Sequence, residues 1–355
     1  MVSNEKSTIN DVARLAGVSK KTVSRVINNE PNVSKETLSK VTTVIEQLNY
    51  VPNPQARGLA FNRSFLLAMI YDNPNASFVT EAMYGALSQC NTSDYELVVH
   101  PCESAHDKLY DDIIRFLKRA KIDGVILLPP LSQSEELISR LKAIGSDYVR
   151  LQSVTSDDSA HSIHFNDREA VSHIAEHLVA LGHKDIGFIR GPNTSQSATE
   201  RYEGFCHALG KHGISLPANR IAMGAYTFQS GVECAEWLLN SDSPPSAIFA
   251  CNDEMAIGVM AAAKKMGIQI PGELTVIGFD DSPQASRIWP ALTTVNLHIR
   301  EMVSLATQKL LALCDKDIER AASIQSELLP TFIQRQTTAV PKNQATQART
   351  QTNHH

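Results

Sequence analysis

The sequence predicts an α/β protein in which a small N-terminal helix-turn-helix headpiece precedes a two-lobed core of doubly wound parallel sheets. Three observations carry that prediction. The first 50 residues read as three short capped helices with no strand pattern between them. From Phe65 onward, short apolar runs alternate with helical stretches, the pattern of parallel sheets covered by helices on both faces. Charge divides along the same line: residues 1–63 hold nine Lys/Arg against five Asp/Glu, which is +4, so the rest of a chain of net charge −5 carries −9. A basic head on an acidic body implies that the head alone meets a polyanion.

The remaining composition excludes other classes. With 355 residues, 43% hydrophobic and 20% charged, the chain has ordinary globular usage and room for two or three domains. No apolar run approaches the roughly 20 residues needed to span a bilayer, so no membrane partner is expected. The polar start Met1–Asn10 lacks the features of a signal peptide. Six cysteines are scattered with no C-x-x-C pair, which argues against a disulfide framework or a zinc ribbon and for a reducing, cytoplasmic setting.

In the headpiece, residues 1–50, Thr8 is placed to cap a first helix, roughly Ile9 to Ala16, with Asp11 at the capping-box position and Gly17 as the stop. Ser19 caps a second, Lys20 to about Asn28, and Ser34 a third, Lys35 to about Asn49. Val12, Val18, Val23, Val26, Leu38, Val41, Ile45 and Leu48 recur at helical spacing and can share one small core. In a helix-turn-helix the N-terminal residues of the second helix enter the major groove. Lys20 and Lys21 stand there with Arg25 one turn on, suited to guanine edges, while Ser19, Thr22, Ser24 and Asn28 suit phosphates. The linker 51–63 contains Asn53 and Pro54 as a helix start, but only about two turns follow and Gly58 weakens them, so this helix needs a partner to form. Leu59 has the character of a wedge for minor-groove base steps.

The core, 64–340, offers ten candidate strands: Leu66–Tyr71, Tyr95–His100, Gly124–Leu128, Tyr148–Leu151, Ser162–Phe165, Ile186–Arg190, Ile221–Met223, Ala247–Ala250, Thr275–Phe279 and Thr294–Leu297. A boundary near Ser162 divides them into an N-lobe (about 64–161 plus 293–322) and a C-lobe (about 162–292 plus 323–340). Parallel sheets bind ligands at the carboxyl ends of their strands. The residues there are polar, with aromatics: Tyr71-Asp72-Asn73, Gln152, Asn166-Asp167, Arg190-Gly191-Pro192, Tyr226, Asn252-Asp253 and Asp280-Asp281. Carboxylates, amides and a guanidinium can pair with adjacent hydroxyls, and an aromatic ring can cover the C–H face of a sugar. Asp253 and Asp281 also sit where helices start and are expected to act as caps. His173 and His177 share a helical face without an evident third ligand, so no metal is expected, and no nucleophile, phosphate loop or dinucleotide fingerprint nominates an enzyme or a cofactor. The tail 341–355 is polar, without heptads, and reads as disordered.

Asp11-Val12-Ala13, Ala16-Gly17-Val18-Ser19, Thr22-Val23-Ser24-Arg25-Val26-Ile27-Asn28 and Pro52-Asn53-Pro54-Gln55-Ala56-Arg57-Gly58-Leu59 resemble the headpiece and hinge of the lactose/galactose repressor (LacI/GalR) family. The resemblance continues through Gly182-His183, Gly191-Pro192, Arg201, Gly204-Phe205, Asn252 to Ala256, Gly278 to Asp281, Leu292 to Val295 and Arg335 to Thr338. It implies a homodimeric, sequence-specific transcription factor with a core similar to periplasmic sugar-binding proteins. Such a regulator binds a near-palindromic double-stranded DNA operator and answers to a small effector held between the lobes. Thr8, Ser19, Lys20, Lys21, Thr22, Ser24, Arg25, Asn28, Asn53, Ala56, Arg57 and Leu59 are then the DNA-contacting candidates. Residue by residue, the effector contacts fall on Phe78, Gln152, Phe165, Ser195, Ser197, Arg201, Tyr226, Asn252 and Asp280. Asn166-Asp167 reverses the family's usual order, and Leu297 stands where some sugar-responsive members carry Gln. Ser195 replaces the Arg of the purine-responsive branch, which favours a carbohydrate, with a purine-type or other metabolite as the alternative. The family's tetramer-forming C-terminal helix has no counterpart in the tail, so a dimer is expected. A transport-type binding protein or an α/β enzyme with a DNA-binding appendage are the competing classes.

Overall fold

The computed structural model describes residues 7–27, 33–50, 63–103, 107–152 and 158–342. The chain falls into two units, divided at Phe65.

The first unit is three helices: α1 (Ile9–Ala16), α2 (Lys20–Ile27) and α3 (Lys35–Gln47). Each start is made locally. Asp11 accepts from the backbone N–H and hydroxyl of Thr8 at 3.1 and 2.7 Å. Ser19 accepts from Thr22 N at 3.1 Å, and Ser34 from Thr37 N at 3.2 Å. Gly17, at φ +65, ends α1 in the left-handed region, which lets Val18 N–H reach back to Ala13 O at 3.0 Å. Val12, Ala13, Ala16, Val23, Val26, Val41 and Val44 form the shared core. Leu38, placed in that core by its spacing, is 41% exposed; the α3 stripe that turns inward is Val41 and Val44. Asn28, Asn53, Ala56, Arg57 and Leu59 lie outside the described residues.

The second unit is built on two parallel sheets. Strands β1 (Leu66–Tyr71), β2 (Glu96–Pro101), β3 (Gly124–Leu127), β4 (Asp147–Gln152) and β5 (Ser162–His164) pair in the order β2-β1-β3-β4-β5. Strands β6 (Ile186–Arg190), β7 (Ile221–Met223), β8 (Ala247–Ala250) and β9 (Thr275–Ile277) pair in the order β7-β6-β8-β9. The central strands are wholly buried, so their sequences read as unbroken apolar runs. Strands β10 (Thr294–Asn296) and β11 (Thr331–Ile333) form a separate antiparallel pair at the crossovers. Among the described residues, no helix is long and apolar enough to cross a membrane.

Three sequence expectations change. The lobe boundary near Ser162 moves toward Asp167, because Ser162–His164 pairs with β4 (Arg150 beside Ser162, Gln152 beside His164) and completes the first sheet. Residues 324–327 stay with the first lobe, not the second: His164 N donates to Ser326 O at 2.7 Å, and the return to the second sheet is made by Thr337, whose carbonyl accepts from Val276 N. The described residues contain eleven strands, since the three-residue β11 is too short to register as an apolar run.

One buried cation ties the first lobe together. Lys309, on the helix Ile299–Cys314, has no solvent exposure, and its Nζ donates to the carbonyls of Ser159 (2.8 Å), Ala321 (2.9 Å) and Ile324 (2.7 Å). Three donors meet three acceptors from separate segments, which is what a fully desolvated ammonium requires. Burial still holds its pKa below the ordinary lysine value.

Candidate functional sites

On the headpiece, the described DNA-contacting candidates surround the start of α2. Thr8, Ser19, Lys20, Lys21 and Arg25 are exposed, Thr22 and Ser24 half-buried, and no acid sits in the first turn of α2. The Ser19 and Thr22 hydroxyls bond each other at 2.9 Å while Ser19 caps the helix. Val23 and Val26 anchor the opposite face in the core, so the basic side chains are carried outward on a fixed helix. This face presents cations and the positive end of a helix together, an arrangement suited to a phosphate backbone.

In the core, the order of each sheet reverses direction once: between β1 and β3 in the first, and between β6 and β8 in the second. Such switch points are where open α/β sheets hold ligands. The residues leaving those strands line one cleft with about 470 Å³ of empty space, part of it open to solvent, within the usual range for a small-molecule site. Eight of the nine effector candidates meet there: Phe78, Phe165, Ser195, Ser197, Arg201, Tyr226, Asn252 and Asp280. The ninth, Gln152, ends β4, and its side chain lies outside the described residues. Asn73, Asn75, Pro129 and Leu297 complete the wall.

Arg201 organises the polar side. It is buried, with Nε donating to Asp167 Oδ1 at 2.7 Å and Nη1 to Cys251 O at 2.5 Å. Its guanidinium lies 3.7 Å from the centre of the Phe279 ring, and Nη1 stands 3.8 Å from Asp280 Oδ1. Burial opposes its charge, but Asp167, Tyr226 and Asp280 more than compensate, and its pKa is raised. The other oxygen of Asp167 accepts from Ser197 Oγ at 2.7 Å, so the reversed Asn166-Asp167 pair puts the carboxylate beneath the arginine and leaves Asn166 to cap the helix Asp167–Ala180. Asn252 caps the helix Asp253–Lys265 through Oδ1 and donates from Nδ2 to Tyr226 O at 3.1 Å.

Asp280 is the acidic counterpart. Burial pushes its pKa up to about 8, against the pull of Arg201. Its Oδ2 accepts from Asn75 Nδ2 at 2.8 Å, a bond that joins the two lobes across 205 residues of sequence. Asn75 also caps the helix Ala76–Ser93, which is the only role its local sequence announces. Tyr226 is seated by Gly191: a Cβ there would stand 2.3 Å from the tyrosine Cζ, so only glycine lets the ring lie against the chain. The Tyr226 hydroxyl bonds Ser195 Oγ at 3.2 Å, and burial raises its pKa. Phe78 and Phe165, with centroids 6.3 Å apart, supply aromatic surface.

Two expected caps have other work. Asp253, buried and raised to about pKa 7 by burial, accepts from Thr294 Oγ1 (2.7 Å) and Ser282 N (2.6 Å), bracing the crossover, because the cap falls one residue earlier on Asn252. Asp281 pairs with Arg335 Nη2 at 2.5 Å and Asn296 Nδ2 at 3.0 Å. His173 contacts Glu169 at 3.3 Å, whereas His177 bonds Thr338 Oγ1 at 3.0 Å, so the two imidazoles face different partners.

Known proteins share both halves of this arrangement. Residues 8–53 match the model of the bacterial regulatory proteins, lacI family, and residues 175–338 match the periplasmic binding protein-like domain. A curated relative, the "Probable HTH-type transcriptional repressor ExuR" of Bacillus subtilis, is 33% identical over 89% of this chain and 94% of its own length. This chain belongs to the lacI family. Catabolite control protein A of Priestia megaterium is 32% identical over 90% of the chain and 96% of that protein. Among solved structures, the lac repressor dimer bound to operator and the anti-inducer ONPF superposes with a TM-score of 0.77 at 29% identity, covering 94% of this chain and all of that one. Membership makes the chain a DNA-binding transcriptional regulator.

Proposed function

We propose that this lacI-family member is a cytoplasmic, homodimeric repressor whose hold on a near-palindromic operator is set by a carbohydrate bound between the lobes. The cleft carries the reading. One guanidinium, one carboxylate and two side-chain amides (Arg201, Asp280, Asn75 and Asn252) converge beside Tyr226, Phe78 and Phe165 at the strand switch points. Paired planar donors and acceptors suit vicinal hydroxyls, and rings suit the apolar face of a sugar. The similarity to ExuR and to catabolite control protein A, named as regulators, supports the repressor role; the operator-bound dimer of the lac repressor supports the assembly. The chain acts by binding alone, without cofactor or metal.

The lobes are bridged at the cleft by Asn75–Asp280, and a ligand inserted among these residues favours one lobe arrangement over the other. Differential affinity for the two arrangements sets how far occupancy of DNA moves. The linker 51–63, read from sequence as a marginal helix, is the element proposed to carry that change to the headpiece. Selection of duplexes from a random library, followed by gel shift with mono- and disaccharides, sugar acids and purines, tests the whole reading. Enrichment of a palindrome released or tightened by a sugar is expected. A response to purines alone, which the relatives named PurR at 31% identity make the second reading, would overturn the carbohydrate assignment.

A further inference from the structure

The cleft does not end at its inner wall. A second hollow, with about 1020 Å³ of empty space counting the part open to solvent, continues from it and shares Asn73, Pro129, Ser195 and Tyr226 with it. Its lining differs in kind. Pro74 follows β1, Pro130 follows β3 and Pro192 follows β6, so three of the four strands that flank the switch points open onto a proline in this hollow. Proline offers no N–H and has a fixed φ, so these walls are apolar and rigid before anything binds. Leu131 and the ring of Tyr110 add apolar surface. The polar handle is a hydroxyl pair: Ser134 Oγ donates to the Tyr110 oxygen at 2.8 Å, which leaves the tyrosine its own proton to give.

A ligand confined to the inner cleft would meet charge and amides on nearly every side. One that continues outward would meet flat apolar walls and a single hydroxyl donor, with Tyr226 and Ser195 at the junction. We propose that the effector is a two-ring glycoside, a sugar ring held in the inner cleft and joined through its glycosidic oxygen to a second ring lying on the prolines and Tyr110. The second ring is either another sugar or an aromatic aglycone; the glycosidic linkage past Tyr226 is common to both. This rests on the inner cleft being a carbohydrate site.

The test is isothermal titration of the full chain with a panel in which each sugar is offered as its methyl glycoside, as a disaccharide and as an aryl glycoside. For the recognised sugar, a two-ring form is expected to bind at least tenfold more tightly than the methyl glycoside. The disaccharide and aryl arms decide which second ring is preferred. Tyr110→Ala should shrink that advantage below threefold while methyl glycoside affinity holds. Tyr110→Phe and Pro74→Ala, which perturb the fold less, should each reduce it in part. Equal affinity of the methyl and two-ring forms, or variants that weaken both alike, overturns the inference while leaving the inner cleft a sugar site. Binding of no carbohydrate in any form overturns the carbohydrate reading itself, and this inference with it.

Discussion

Replacing Arg201 by Met removes the cation of the cleft while keeping an apolar stem of similar length. The Asp167 side chain has no exposure and loses its Nε partner at 2.7 Å, keeping only Ser197. Cys251 O loses its donor, and the Phe279 ring loses the guanidinium above it. Removing one partner of a buried ion pair costs about 3–5 kcal/mol, most of it from the carboxylate left without a counter-charge. For a domain of this size that is a fall in melting temperature on the order of 10 °C. Scanning calorimetry of the full chain reads it in the core transition. Asp167→Asn in the Arg201→Met background should return part of the loss, giving a coupling of at least about 2 kcal/mol in the double-mutant cycle. A core transition that moves by less than 2 °C, or strict additivity of the two substitutions, would refute the claim that this pair holds the cleft together. Effector response should vanish in Arg201→Met, so the same experiment shows that the residue that binds is also the one that braces.

Asp280→Asn tests the protonation of the acidic wall. A carboxyl held near pKa 8 keeps a proton in the folded chain that the unfolded chain has lost above about pH 4. Its contribution is therefore full at low pH and drains away as pH rises toward 8, at no more than about 1.4 kcal/mol per pH unit. The parent core should lose melting temperature from pH 5 to 8 faster than the Asn variant, and parallel slopes would contradict the assignment. Gly191→Ala should push the Tyr226 ring into the cleft and cost about tenfold in effector affinity, or 1.4 kcal/mol, with little change in core stability; unchanged titration isotherms would show that the ring has another resting place. Lys20→Ala with Lys21→Ala should flatten the dependence of operator affinity on salt by roughly one logarithmic unit per phosphate contact removed. A gel shift with the parent's salt slope would move the contact surface off α2.

What could be read from the chain alone follows the range of the interactions concerned. Helix starts are local, so Ser19, Ser34 and the Thr8–Asp11 box announce themselves within four residues. Buried parallel strands such as Ile186–Arg190 and Ala247–Ala250 are legible because both faces are covered. Strand partners are not local: nothing in Ser162–His164 says that it pairs with β4 and not with a later strand, which is why the lobe boundary lay elsewhere. The same holds for the cleft. Arg201, Tyr226 and Asp280 are placed by the family resemblance, whereas Asn75 reads as a simple cap until the fold brings Asp280 beside it. The adjacent Asn252 and Asp253 could exchange roles on paper; the buried Thr294 hydroxyl decides, since it needs a carboxylate and leaves the cap to the amide.

Lys309 has a practical use that follows from its seat. An amine sealed among three carbonyls is beyond the reach of acylating reagents as long as the first lobe is closed, while the chain's exposed lysines, such as Lys265 and Lys316, label at once. Its late labelling, followed by mass spectrometry of the peptide that contains it, would clock the opening of that lobe from within and separate a frayed surface from a failing scaffold.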